Sequence, residues 1–250
     1  IAHNCIDKWA TNVTHKNNLA LIWEGEEGKC QTLTYNELAI EVNRCSNALR
    51  SLGFSKGDVI AIYMPMIPET AIALLSIAKI GCIALPLFSG YGPGAISSRL
   101  KHTDAKGLFT ADGCFRKGKL IDLKHTADSA LKSVSSIKHV IVVRRSNNST
   151  DMLSGRDYWW HEIVPCQPNK SPLEPTVAED PIMVIYTSGT TGNPKGAVHT
   201  HCGFPIKAAQ DIAFGLDIHN GDVLYWITDM GWMMGPWMVF GSTILGATIC

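Results

Sequence analysis

Apolar residues recur along this chain at two alternating periods, and the alternation sets the architecture. Leu38, Val42, Cys45, Leu49 and Leu52 stand at helical spacing, the period that lays one stripe of a helix on a core. Thr34 and Glu37 form a capping box before them, a hydroxyl and a carboxylate that each take a free backbone N–H at a helix start. Gly53 then offers the left-handed residue that ends a helix. After the turn at Gly57-Asp58, the apolar run 59–64 predicts a strand. Pro68 and Glu69 open the next helix, which the pattern carries to Lys79, with Gly81 just beyond. A strand over 82–87, a helix near 95–102, a strand over 107–110, a helix near 121–134 and a strand over 139–143 follow. Strands alternating with helices of this length predict a mainly parallel sheet covered on both faces.

The stretch 147–181 breaks the rhythm. Pro165, Pro168, Pro172, Pro175 and Pro181 cluster there, and proline sustains neither a helix interior nor a central strand. It reads as a connector between a first α/β subdomain, 1–146, and the start of a second, 182–250. Beyond it the pattern predicts a strand over 182–187, a glycine-rich loop, a helix from about Gly203, a strand over 222–228, a helix near 236–245 and a last strand. The fold class is α/β, with two mainly parallel sheets flanked by helices.

Charge narrows the function classes. Lysine plus arginine equals aspartate plus glutamate at 22 each, so the chain lacks the excess positive charge that nucleic acid requires. The longest apolar stretch, 70–88, is interrupted by Lys79, Gly81 and Pro86, which excludes a membrane span. Eight cysteines include no C-x-x-C pair, so neither a disulfide framework nor a zinc site is read and a cytoplasmic setting is expected. His199 and His201 stand two apart, and no cysteine or carboxylate completes a metal-ligand spacing with them. No metal ligands are assigned, and the two read as packing or orienting residues. The chain opens on Ile1 and stops within the apolar run 247–250, which reads as a piece of something longer.

The chemistry concentrates in Tyr186-Thr187-Ser188-Gly189-Thr190-Thr191-Gly192-Asn193-Pro194-Lys195-Gly196. An apolar strand runs into four hydroxyl residues, three glycines and one lysine. Glycines let backbone N–H groups curl around an anion, hydroxyls add adjustable donors, and lysine adds a compact positive charge. A polyphosphate is the natural guest. The order is not that of a Walker loop, because Lys195 is followed by glycine and preceded by proline. A flexible surface turn is the plain alternative.

The stretch 186–201 resembles the signature of the adenylate-forming superfamily, which includes acyl-CoA synthetases, peptide-synthetase adenylation domains and luciferases. The resemblance implies the N-terminal part of that fold's large domain. It also implies that Thr187, Ser188, Gly189, Thr190, Thr191, Gly192 and Lys195 contact the β- and γ-phosphates of ATP, with Mg²⁺ nearby and Lys195 as the catalytic charge. Two further stretches point to the short-chain acyl-CoA synthetases. Asp222 to Gly235 resembles the segment that sets a Gly-Trp pair beside the acyl pocket, making Trp232, Met233, Met234 and Gly235 pocket residues. The alternative there is a core strand with ordinary packed aromatics. Phe115-Arg116-Lys117-Gly118-Lys119 resembles a basic pair that contacts coenzyme A phosphates, with Arg116 and Lys119 at the matching positions. A lysine in the second place supplies a point charge without the bidentate fork, and a solvated basic turn is the alternative.

Where acetate enzymes carry Trp-Val-Thr-Gly-His, this chain has Trp232-Met233-Met234-Gly235-Pro236. Two methionines are longer and more adaptable and remove a hydroxyl, which favours a different small or medium carboxylate. The resemblance implies ATP-dependent formation of an acyl-adenylate and then a coenzyme A thioester. It places the adenine, ribose and Mg²⁺ contacts and a C-terminal domain with an assisting lysine beyond residue 250, and the 250-residue chain alone is expected to be inactive. An adenylating ligase that does not use coenzyme A and a non-catalytic nucleotide-binding protein are the two rival readings.

Overall fold

The computed structural model describes residues 1–187 and 194–250. A wide helical turn, His3–Asp7, runs into a single turn, α1 (Lys8–Ala10). The strands β1 (Leu19–Glu24) and β2 (Cys30–Thr34) then pair as an antiparallel hairpin, an element that the reading from periodicity passes over. The capping box closes in both directions at the start of α2 (Tyr35–Ser51). Thr34 Oγ1 accepts from the Glu37 N–H at 3.2 Å, and the Glu37 carboxylate accepts from the Thr34 N–H at 2.8 Å. Leu38, Val42, Cys45 and Leu49 are buried on one stripe, and Gly53 takes the left-handed conformation at φ +87°.

Next come β3 (Val59–Tyr63), α3 (Pro68–Lys79), β4 (Ile83–Pro86), α4 (Pro93–His102) and β5 (Gly107–Ala111). A small hairpin follows, β6 (Cys114–Arg116) with β7 (Lys119–Ile121), then α5 (Leu123–Leu131), β8 (His139–Val143), β9 (Asp157–Trp159) and α6 (Trp160–Ile163). Eleven of the twelve residues of α3 are buried, so it lacks the polar face of a surface helix. It packs against α2 while α4 packs against α5. Right-handed crossovers running in opposite directions from β3 place these two pairs on opposite faces of the sheet.

The last elements are β10 (Pro181–Thr187), β11 (Lys195–Thr200), α7 (Gly203–Gly215), β12 (Val223–Leu224), α8 (Met234–Leu245) and β13 (Thr248–Ile249). Two main sheets result. Seven strands run in the order β11-β10-β4-β3-β5-β8-β9, parallel except for the antiparallel edge β11, and four run in the order β12-β13-β1-β2.

The stretch 147–181 does not divide the chain into two sheets. Pro181–Thr187 does not open a second sheet: Met183 pairs in parallel with Ala84 of β4, so strands from both sides of the proline-rich stretch share one sheet. The physical reason lies in the stretch itself. Its carbonyls accept from α2: the Asn43 amide donates to Asn169 O at 2.9 Å, Asn47 to Pro168 O and Lys170 O, and Arg50 to Pro172 O. Prolines leave such carbonyls without helical partners, and α2 satisfies them. The stretch is therefore a strap along the sheet, delivering β10 to the open edge beside β4. The second sheet draws instead on both ends of the chain. Trp9 Nε1 donates to Thr243 O at 2.7 Å, Tyr35 Oη to Ala247 O at 2.7 Å and Thr248 Oγ1 to Leu19 O at 2.7 Å. The strand predicted over 222–228 shrinks to Val223–Leu224, since only those two residues meet β13.

Candidate functional site

The chain leaves β3 toward β4 on one side and, after crossing back, continues through β5 to β8 on the other. Crevices at such reversals, outside the carboxyl ends of parallel strands, are where open α/β sheets bind ligands. Here the loop after β4 and the β6–β7 hairpin after β5 meet above that reversal. Tyr63, at the end of β3, donates its hydroxyl to Tyr91 O at 3.0 Å and pins the loop.

The segment 229–235 comes down onto this loop. Asp229 is 8% exposed, and its carboxylate accepts from the Ser89 N–H (3.2 and 3.3 Å), the Ser89 hydroxyl (2.5 Å) and the Gly231 N–H (2.9 Å). Gly231 has no room for a side chain: a Cβ there would lie 2.0 Å from Phe88 N. Gly235 is wedged in the same way, 2.6 Å from Asp229 O. Trp232 then stacks obliquely on Phe88, with ring centroids 5.5 Å apart.

Arg116 enters from the hairpin. Its Nη2 donates to Ser89 Oγ at 2.6 Å, and its guanidinium lies 5.8 Å from the centre of the Phe88 ring. Arg116 and Lys119 are direct partners across the two-residue turn Lys117-Gly118, so both side chains share one face of the ribbon. Both turn residues have positive φ, 52° and 72°, the conformation of the tight hairpin turn that Gly favours. Their N–H groups donate to Glu26 at 3.0 and 3.1 Å. These two bonds, led by that from Gly118, hold the Glu26 carboxyl below the usual carboxylate range.

The residues expected around the triphosphate divide. Thr187 ends β10 and faces Lys195, which begins β11, and both side chains are exposed. Ser188, Gly189, Thr190, Thr191 and Gly192 lie outside the described residues. Tyr186, just before them, covers Gly196 across the hairpin and holds His102 through a 2.6 Å hydrogen bond. Arg99 lies over the rings of both Tyr91 and Tyr186, at 4.3 and 5.1 Å, and so joins the loop after β4 to the approach to the phosphate loop. Trp232 and Met233 do not share one wall: Trp232 faces Phe88, whereas Met233 lines a depression of about 330 Å³ with His199, Phe204, Lys207 and Trp237. Met234 is partly buried against the core and Gly235 is buried.

Four residues of this site escape the sequence reading: Ser89, Asp229, Glu26 and Arg99. Only Asp229 carried a signal, a lone carboxylate inside an apolar, aromatic stretch. Ser89 looks like any loop serine until Asp229 is placed beside it.

His201 follows β11, and its N–H donates to Asp180 O at 3.0 Å, at the end of the proline-rich stretch. It is 5% exposed, and neither ring nitrogen has a hydrogen-bond partner among the described residues. Burial pushes its pKa down to about 4, against an opposing pull from Asp180. The unfolded chain takes up this proton near the ordinary value of about 6.5 while the folded chain does not. Stability is therefore expected to fall as pH drops from about 6.5 toward 4 and to level off below. Urea midpoints for the protein and for His201→Leu across that range check this: the difference between them should change with pH only inside the window.

Comparison with known proteins places this geometry. The profile of the AMP-binding enzyme family matches residues 7–250. The acetyl-coenzyme A synthetase of Methanothrix thermoacetophila is 43% identical over 251 residues, and that of Yersinia pseudotuberculosis 41% over 252. Each alignment takes in 99% of this chain, which spans 38% of the length of these relatives. The acetoacetyl-CoA synthetase structure from Streptomyces lividans superposes with a TM-score of 0.91 at 27% identity, covering 99% of this chain and 37% of that one.

Proposed function

This chain belongs to the AMP-binding enzyme family, and on that premise we propose that the full-length protein is an acyl-CoA synthetase. It joins a small or medium carboxylic acid to ATP as an acyl-adenylate, releasing pyrophosphate, and then passes the acyl group to the thiol of coenzyme A, releasing AMP. One observation carries this reading beyond nucleotide binding alone. The paired cations Arg116 and Lys119 share a ribbon face, and Arg116 is joined through Ser89 and Asp229 to the Gly231-Trp232 turn. A site for a second phosphorylated substrate thus abuts the turn expected beside the acyl group.

No protein nucleophile is needed. The acid's carboxylate attacks the α-phosphorus, and the chain's part is to hold and neutralise the phosphates. Lys195, at the mouth of β11, supplies charge to the departing pyrophosphate, with the Thr187 hydroxyl across from it. Trp232, stacked on Phe88, stands at the acyl side, and Arg116 with Lys119 draws the coenzyme's phosphates. Mg²⁺ arrives at such sites on the triphosphate and offsets its charge. Among the described residues no group of three or more His, Cys, Asp or Glu stands ready to hold it, and none of these roles runs through it.

A panel of carboxylates offered to the full-length protein with ATP and coenzyme A tests the proposal, recording pyrophosphate release and thioester formation for each acid. Acid-dependent pyrophosphate with no thioester would instead identify an adenylating ligase with another acceptor. Lys195→Ala should lower kcat/KM for pyrophosphate release about thirtyfold, the loss of one charge-assisted contact of about 2 kcal/mol. Unchanged turnover would remove Lys195 from the site.

A further inference from the structure

The hydroxyl of Ser89 has one proton and two lone pairs, and its surroundings leave it no choice in their use. Its proton goes to the Asp229 carboxylate at 2.5 Å, a charged acceptor that the Ser89 and Gly231 N–H groups also hold in place. The lone pairs therefore face away from Asp229, and there Arg116 Nη2 donates at 2.6 Å. Ser89 is 2% exposed, so water does not compete for either bond. We propose that Ser89 is a positioning residue: polarised by Asp229, it sets the Arg116 guanidinium for an incoming coenzyme A phosphate and couples that anion site to the seat of Gly231-Trp232.

The interposed hydroxyl matters electrostatically. A direct Arg116–Asp229 pair would cancel the charge the ligand needs, and a phosphate would then have to break it. Through Ser89 the guanidinium is fixed in direction yet, among the described residues, pairs with no carboxylate, and its other N–H donors make no hydrogen bond there and can take a bidentate contact. The neighbours of Ser89 agree with this role. The Phe88 ring lies beside the guanidinium, and a Cβ on Gly90 would come within 3.2 Å of Arg116 Nη1, so three successive loop residues shape its resting place. The hairpin is braced as well, by Glu26 on its turn amides and by Arg145 lying 5.4 Å from the Phe115 ring.

This inference rests on the acyl-CoA synthetase reading, and the test separates the two. In the full-length protein, Ser89→Ala is expected to raise KM for coenzyme A about fivefold to tenfold, the loss of one charge-assisted orienting bond. The acid-dependent ATP–pyrophosphate exchange, which needs no coenzyme A, should fall by a smaller factor than KM for coenzyme A rises. In an Arg116→Ala background, Ser89→Ala should add no further change, because the two then act through one contact. Thermal midpoints of all variants accompany the kinetics. Equal losses in exchange and in thioester formation with a lowered midpoint, an unchanged KM for coenzyme A, or additive effects in the double variant each overturn the positioning role. A wild-type protein that forms no acyl thioester overturns the functional reading instead.

Discussion

Gly231→Ala is expected to cost at least about 3 kcal/mol of stability, the upper end of what overpacking does in a closed site. The added methyl would lie 2.0 Å from Phe88 N, 2.3 Å from Phe88 Cα and 2.6 Å from Leu87 C. These are backbone atoms of the segment leaving β4, and they cannot rotate aside as a side-chain tip would. Either the loop after β4 or the segment 229–235 must retreat, and each retreat pulls Asp229 from Ser89 and Trp232 from Phe88. The damage should therefore appear twice: as a lower urea midpoint at unchanged slope, and as a loss of the near-ultraviolet circular dichroism of the Trp232–Phe88 pair. Gly118→Ala is the control. Gly118 has φ +72° and, among the described residues, nothing within 4 Å of a Cβ, so alanine there carries only the left-handed penalty of about 1–2 kcal/mol. Equal losses in the two variants would show that the approach of Gly231 to Phe88 does not hold the site together.

The contrast between these glycines shows what the sequence alone discloses. Gly118 announces itself, because Lys117-Gly118 between short apolar runs is a turn pattern with a local cause. Gly231 does not, since its partner lies more than 140 positions earlier in the chain, and no local rule brings 88 and 231 together. The same division runs through the fold. The α2 capping box, the stop at Gly53 and the parallel alternation from β3 to β8 rest on near neighbours and are readable. The membership of β10 in the first sheet depends on how α2 satisfies the carbonyls of a proline-rich strap, a contact between residues about 120 apart. The β1–β2 hairpin joins β13 at the far end of the chain, with equally little local signal. For the site, the cluster of glycines and hydroxyls ending in a lysine pointed to Lys195, and the resemblance to short-chain acyl-CoA synthetases pointed to Arg116, Lys119 and Trp232. The residues that aim them, Ser89 and Asp229, become visible only in three dimensions.

Asp112→Ala is expected to be the other severe substitution, at about 3–4 kcal/mol. Asp112 is fully buried at the end of β5, and its carboxylate gathers four backbone N–H groups. Oδ1 accepts from Gly113 at 2.8 Å, Arg145 at 2.8 Å and Ser146 at 2.9 Å, and Oδ2 from Asn148 at 3.2 Å. Such donors around a charged acceptor are worth about 1.5–3 kcal/mol each when lost in a closed site. Water reaches the partly buried loop after β8 and recovers part of that. Asp112→Asn keeps one oxygen for the three-donor side and turns an amide N–H toward Asn148, so it should cost about half as much. The effect should also travel to the site. Arg145 leaves this loop to pair with Glu27 and to lie over Trp23 and Phe115, at 4.9 and 5.4 Å, bracing the hairpin that carries Arg116. The Arg145 hydrogen bond is the chief cause holding the Glu27 carboxyl down to about 2. In Asp112→Ala, Arg145 loses its anchor, and the Glu27 carboxyl should rise toward the ordinary value of about 4.3, as followed by carbon-detected NMR titration. A Glu27 titration that stays low in a destabilised Asp112→Ala protein would mean that Arg145 is fixed by its aromatic neighbours alone. A rise in step with the lost stability places one buried carboxylate at the root of the hairpin's alignment.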